Sequence, residues 1–148
     1  MQFSVKPFQE LVVKPWGTES IYTSKDSAHT GKVLTVKAGS RLSLQYHDQK
    51  SETMCLVSGR AVIWLENGRG EIEHIEMERG KGYAVVPGQK HRLEAVTDAV
   101  VIEVSDPEKG STFRLADDYR RPDETEGLRS AANRGWPPPA DTSDEVVK

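Results

Sequence analysis

The sequence predicts an all-β protein, a sandwich or barrel of many short strands, and three observations carry that prediction. Between residues 11 and 104, apolar-rich runs of four to seven residues follow one another. Glycine-centred turn signals separate them at short intervals, and no stretch before Asp106 shows the 3.6-residue apolar period of an amphipathic helix. Short runs with a period of two, at even spacing, are the pattern of strands that return on themselves rather than of strands alternating with helices.

In chain order the predicted strands are residues 11–14, 19–23, 32–37, 41–46, 52–58, 60–66, 71–76, 83–86, 91–96 and 99–104. Between them lie Ala38-Gly39, Ser58-Gly59, Asn67-Gly68, Arg79-Gly80, Pro87-Gly88 and Thr97-Asp98, the chemistry of hairpins and tight turns. No internal repeat is present. At 148 residues the chain is expected to form one domain over residues 1–121, because the remainder has a different composition. Residues 1–121 hold seventeen acids and seventeen bases, whereas residues 122–148 hold six acids, three bases and four of the eight prolines. The tail therefore carries the whole net charge of −3, and with Pro137-Pro138-Pro139 after Trp136 it has no periodic apolar face to offset its ordering entropy. It is expected to be disordered or loosely docked, the alternative being a peptide that a partner reads through its proline run.

Charge and cysteine content exclude several classes. Acids and bases are interspersed, so there is no basic footprint for nucleic acid. Cys55 is the single cysteine, which rules out an intramolecular disulfide and a CxxC site and is expected of a reducing, cytoplasmic compartment. No run of eighteen apolar residues predicts a membrane span.

One strand has an unusual polar side. In Arg41-Leu42-Ser43-Leu44-Gln45-Tyr46-His47 the period of two puts Leu42, Leu44 and Tyr46 on one side and Arg41, Ser43, Gln45 and His47 on the other. Either the polar side is in water, or it lines a barrel interior and converges on a ligand. The turn after His47 leads to Glu52 at the start of the next strand, and His91 opens a third strand after Pro87-Gly88. Two imidazoles, a carboxylate and the Gln45 amide oxygen are a donor set that suits a first-row divalent metal and leaves positions open.

These residues resemble the cupin family. The first motif of that family, G-x5-H-x-H-x3-4-E-x6-G, is matched by Gly39, Gln45, His47, Glu52 and Gly59, with Gln45 in place of the first histidine. The second, G-x5-P-x-G-x2-H, is matched by Gly80, Gly88 and His91, with Val86 at the proline position and Pro87 one place later. The segments Lys14-Pro15-Trp16-Gly17, Leu42-Ser43-Leu44-Gln45-Tyr46-His47, His91-Arg92-Leu93-Glu94 and Arg114-Leu115-Ala116-Asp117-Asp118-Tyr119 narrow the likeness to the mannose-6-phosphate isomerase type II cupin in its stand-alone form. The likeness spans about residues 10–121. Neither a P-loop nor a Rossmann fingerprint is present, so the guanylyltransferase activity of the bifunctional members is not expected.

The resemblance implies a double-stranded β-helix, or jelly-roll barrel, with N- and C-terminal arms, paired into a homodimer. It implies one divalent metal on Gln45, His47, Glu52 and His91, zinc being favoured over manganese, cobalt, nickel or iron. The implied reaction interconverts an aldose phosphate and a ketose phosphate, of the mannose 6-phosphate and fructose 6-phosphate type, through a cis-enediol, in carbohydrate metabolism that feeds polysaccharide synthesis. Lys50, Arg92 and Glu94 are the catalytic candidates, with no roles assigned among them, and Arg41 and Arg92 are the candidates for binding substrate. Strand alternation offers a second reading of Arg92, facing away from His91 as the ion-pair partner of an acid. Two alternatives stand beside the isomerase: another metal-dependent cupin enzyme (oxygenase, lyase or epimerase) acting on a small molecule, and a non-catalytic sugar-binding module. The chain also departs from the isomerase pattern. His47-Asp48-Gln49-Lys50-Ser51-Glu52 replaces the histidine-rich run of the bifunctional enzymes, and Arg120 stands where the closing segment usually has glycine.

Overall fold

A computed structural model describes residues 3–132, 134 and 136. Strands β1 (Glu10–Lys14), β2 (Gly17–Ile21), β3 (Thr30–Val36), β4 (Leu44–His47), β5 (Glu52–Ser58), β6 (Ala61–Glu66), β7 (Ile72–Glu76), β8 (Gly82–Val85), β9 (His91–Ala95), β10 (Ala99–Ser105) and β11 (Thr112–Ala116) are followed by one helical turn, α1 (Glu126–Arg129). All pairings are antiparallel. One sheet runs β1-β2-β3-β10-β5-β8 and the other β11-β4-β9-β6-β7. Each of the ten predicted strands appears, displaced by up to three residues at its ends, and β11 is added.

The turn glycines act as their spacing requires: Gly39, Gly59, Gly80 and Gly88 all have φ between 77° and 84°, backbone that costs a residue with a Cβ. Gly59 is further constrained, since a Cβ there would lie 2.1 Å from the Asp98 carbonyl oxygen.

The inward faces of the strands share one gradient. On β5 the inward residues run Glu52, Met54, Leu56; on β9, His91, Leu93, Ala95; on β3, Lys32, Leu34, Val36; and on β10 in reverse, Val101, Glu103, Ser105, all of them buried. The barrel is thereby divided. One half is an apolar core in which Trp16, Leu34, Leu56, Ile63, Leu93 and Val101 pack together, and Tyr119 of the C-terminal arm packs against it. The other half is a layer of charged and polar side chains inside the barrel mouth. Burying apolar area at one end supplies the hydrophobic stabilisation that the ionic end lacks.

Among the described residues no helix is long and apolar enough to cross a membrane. The described part of the chain after Arg121 lies against the barrel mouth. Thr112 and Glu124 exchange two backbone hydrogen bonds of 2.9 Å, Arg129 pairs with Glu108 and Glu124, and Arg134 pairs with Glu19, Glu108 and Glu124. The Pro137-Pro138-Pro139 run and the acidic end of the tail lie outside the described residues.

Candidate metal centre

The first metal-ligand candidates come from strand ends that meet at the barrel mouth. His47 closes β4, Glu52 opens β5 and His91 opens β9, and all three are buried. His47 Nε2 lies 3.1 Å and His91 Nε2 2.8 Å from the same oxygen, Glu52 Oε1, and the three groups offer ligand atoms within 4.8 Å of one another. Gln45 is the register partner of His91 across β4 and β9, and its amide lies 3.5 Å from His91 Nε2. The Ser43 hydroxyl donates to Gln45 Oε1 at 2.7 Å.

The chemistry of these donors fits a bound cation. His91 Nδ1 donates to the Gln89 carbonyl at 2.9 Å, and a carbonyl can only accept, so Nδ1 carries the hydrogen. In the neutral imidazole Nε2 then presents a lone pair to a carboxylate oxygen at 2.8 Å. Two acceptors at that separation call for a positive centre between them, and a divalent metal satisfies all the converging lone pairs at once. His47 is oriented in the same way from behind, its Nδ1 lying 2.9 Å from the Thr112 hydroxyl, the kind of outer partner that fixes a ligating ring. Burial holds His47 below its ordinary pKa, against the opposing pull of Glu52, and so keeps it in the neutral, ligating form. Burial opposes ionisation of Glu52, yet hydrogen bonds with Glu103, His47 and His91 and the charge of Lys50 hold it well below the usual carboxylate range. Burial and the adjacent Glu52 push Glu103 well above that range.

Lys50 enters the same cavity, buried, with Nζ 4.0 Å from Glu52 Oε2. Gln45, His47, Lys50, Glu52 and His91 are therefore brought together. Arg41, Arg92 and Glu94 are not: none of the three lines this cavity. Arg92 and Glu94 occupy the opposite phase of β9 from His91 and Leu93. Arg92 Nε donates to the Leu42 carbonyl at 2.7 Å and its guanidinium sits 5.1 Å over the Trp64 ring, while Trp64 Nε1 donates to Glu94 at 3.1 Å. Strict strand alternation predicts Arg41 on the face of Gln45 and His47. Instead Leu42 packs against the core and lines the cavity, so the side-chain phase slips by one between Leu42 and Leu44. That slip turns Arg41 outward, where it forms a two-pronged pair with Asp118 at 2.7 and 2.9 Å.

The rest of the cavity wall comes from residues outside the two metal-ligand motifs. Lys32 pairs with Glu19 and Glu108 and lies 4.0 Å from Glu103; Lys14, Arg114, Glu124 and Arg134 line the same space, which has a volume of about 60 Å³. The signal that would have found Lys32 and Glu103 is a charge in phase with apolar neighbours two residues away, as in Lys32-x-Leu34-x-Val36 and Val101-x-Glu103. Strand β11 went unseen for a related reason. Its polar Thr112 and Arg114 face the cavity, while Leu115 is half exposed and Phe113 stacks on Tyr46 outside, at 4.9 Å.

Two antiparallel sheets closed around a buried His-Glu-His cluster, with the ligands on the ends of three strands, define a cupin. Within that class, residues 4–123 match the family described as mannose-6-phosphate isomerase C-terminal, and the chain belongs to it. No curated protein matches the sequence significantly. Among solved structures, oxalate decarboxylase from Bacillus subtilis at pH 4.6 is similar at 18% identity and a TM-score of 0.66, over 78% of this chain and 33% of that one. CapF with the inhibitor 3-isopropenyl-tropolone is 22% identical with a TM-score of 0.59, over 68% of this chain and 30% of that one. KdgF from Halomonas sp. is 16% identical with a TM-score of 0.58, over 69% of this chain and 89% of its own. The chain thus spans about a third of the length of the first two, and at these identities the likeness is one of fold.

Proposed function

We propose that the chain is a metal-dependent isomerase that interconverts an aldose phosphate and a ketose phosphate, of the mannose 6-phosphate and fructose 6-phosphate type, through a cis-enediol. The observation that carries this reading is the buried convergence of His47, Glu52 and His91 with Lys50 beside them, in a chain of the mannose-6-phosphate isomerase C-terminal family. His47, Glu52 and His91, with Gln45 as fourth ligand, would hold one divalent ion, zinc being favoured on the mixed N/O donor set. When bound, that ion supplies Lewis-acid stabilisation of the negative charge that develops on the sugar's C1 and C2 oxygens. Thr112 and the Gln89 carbonyl hold the two imidazoles in the ligating orientation, and Lys50 lies 4.0 Å from the second oxygen of the Glu52 carboxylate. Lys50 is the candidate to move the proton between C1 and C2, since of the three catalytic candidates its Nζ alone lies in the cavity. The reading includes a cytoplasmic homodimer supplying polysaccharide synthesis, with residues 1–121 as its functional domain and 122–148 as an appended tail.

A second reading, a metal-dependent cupin enzyme acting on a smaller molecule, is favoured by one observation. The cavity of about 60 Å³ has room for roughly two waters, so a sugar phosphate enters only if the ion-paired wall opens. The deciding experiment begins with elemental analysis of the untagged chain beside a His47→Ala, His91→Ala double variant. About one equivalent of metal, lost in the variant, is expected, followed by isomerisation of mannose 6-phosphate whose kcat falls at least about 100-fold in Lys50→Ala. Negligible metal in both proteins after reconstitution would overturn the metal reading. Full metal without isomerisation would leave the second reading in its place.

A further inference from the structure

Arg41 and Arg92 face away from the cavity, yet the cavity wall itself holds several cations, Lys14, Lys32, Lys50, Arg114 and Arg134 among them. Strand register places one of them with respect to the metal-ligand cluster. Arg114 on β11 is the partner of Gln45 on β4, and Gln45 is the partner of His91 on β9. Partners across a ladder point to the same side, so Arg114 shares the inward face, two strand spacings or about 10 Å from His91. Its side chain is 9% exposed, and its Nε is buried without a hydrogen-bond partner. Of its terminal nitrogens, one donates to the Pro122 carbonyl and the other lies 3.7 Å from Glu124 Oε2.

That same oxygen lies 3.9 Å from the buried Lys14 ammonium. The other oxygen of Glu124 is 3.2 Å from Arg129 and 3.7 Å from Arg134. Four cations approach this one carboxylate; Arg129 and Arg134 also pair with Glu108, and Arg134 with Glu19, so Glu124 is the carboxylate that Lys14 and Arg114 pair with. Lys14 and Arg114 are both largely buried in that wall. Burial pulls Lys14 below its ordinary range in spite of Glu19 and Glu124, and burial together with Arg121 does the same to Arg114 in spite of Glu124. A dianion in this position would neutralise more charge than Glu124 does, and three acceptor oxygens would reach the idle Nε. Glu124 is also a detachable occupant. Its backbone meets β11 through one pair of hydrogen bonds, the neighbouring segment adds polar ties from Asp123 to Arg114 and from Glu126 and Arg129 to Gly110, and α1 has no buried residue, so withdrawing it forfeits polar contacts but little apolar burial.

We propose that Arg114 and Lys14 form an anion subsite inside the barrel mouth, that Glu124 fills it as an internal placeholder, and that the phosphate of a phosphorylated sugar displaces Glu124 on binding. The choice of phosphate rests on the isomerase reading; the subsite itself does not.

The test measures binding of inorganic phosphate to the full-length chain by calorimetry, for the wild type, Arg114→Gln and Glu124→Gln, with galacturonate as the carboxylate competitor. Arg114→Gln should weaken phosphate at least tenfold and Glu124→Gln should tighten it at least threefold, with metal content the same in all three. Equal phosphate affinity in wild type and Arg114→Gln overturns the subsite, as does a Glu124→Gln variant that binds no tighter. If Arg114→Gln fails to fold, Arg114→Lys takes its place and the Glu124→Gln comparison stands independently. Galacturonate binding more tightly than phosphate overturns the assignment to phosphate. Phosphate binding that depends on Arg114 in a chain that isomerises nothing overturns the isomerase reading and leaves the subsite. An active isomerase whose KM for mannose 6-phosphate is unchanged in Arg114→Gln overturns the subsite alone.

Discussion

Thr112 looks like an ordinary strand residue, yet its hydroxyl is what His47 Nδ1 meets, 2.9 Å away. Thr112→Val keeps the shape of the side chain and removes that partner, so the ring loses the contact that orients it toward Glu52. Metal affinity is expected to fall about 10- to 100-fold with the fold intact, read by competition with a chromophoric chelator and by an unchanged melting curve. An unaltered affinity would show that packing alone orients His47. Residue-scale logic also explains which site residues could be read from the chain. Gln45, His47 and Glu52 lie within eight positions and across one turn, so their meeting is a local consequence of strand geometry. Arg41 lies only four positions before Gln45, yet it points elsewhere because the phase slips between Leu42 and Leu44. A slip of one residue leaves no mark in composition.

At the scale of elements, the turn that follows β11 shows where this chain departs from its family's pattern. Arg120 has φ of 55°, in the left-handed region, and its N–H donates to the Asp117 carbonyl at 3.1 Å to close the turn. A side chain with a Cβ is strained there by about 1–2 kcal/mol relative to glycine. Arg120→Gly is therefore expected to raise the free energy of unfolding by about 1 kcal/mol, some of the gain being offset by the glycine's freer unfolded state, as measured by urea denaturation. A loss of stability would mean that the Arg120 side chain makes compensating contacts. Strand β11 itself illustrates why a strand can be missed. Its polar residues face inward and its apolar ones outward, so the expected alternation is inverted, and only the presence of β4 beside it makes the arrangement stable.

For the molecule as a whole, the division into an apolar half and an ionic half dictates how stability depends on pH. Burial raises the cost of ionising Glu19, but Lys32, Lys14 and Arg134 overcome it and bring its pKa to about 2, from an ordinary 4.5. Glu108 is lowered in the same way, against burial, by Lys32 and Arg134. Carboxylates depressed in the folded state contribute stability that is complete above about pH 4.5 and is lost as the pH falls through their folded values. Lys32 moves oppositely. Burial disfavours its charge, but Glu19 and Glu108 raise it above 10.5, so its contribution is complete below that pH and lost only as the pH rises beyond it. The urea midpoint is thus expected to be flat from about pH 5 to 10 as far as these groups are concerned and to drop between about pH 4.5 and 2. Lys32→Met leaves Glu19 and Glu108 short of their partner and should cost about 3–5 kcal/mol at pH 7; equal stability at pH 7 would show that Arg134 and Lys14 suffice.

Ten of the eleven strands, the turn glycines and the spacing of His47, Glu52 and His91 are legible in the chain, because alternation, turn chemistry and motif spacing are properties of the linear sequence. Which polar residues face the cavity depends on how the two sheets close. Lys14, Lys32, Arg114, Glu124 and Arg134 come from opposite ends of the chain and meet in one buried layer, where each charge is tolerated because another segment supplies its counter-charge. Closure of the two sheets brings those segments together, a long-range event that no local pattern records.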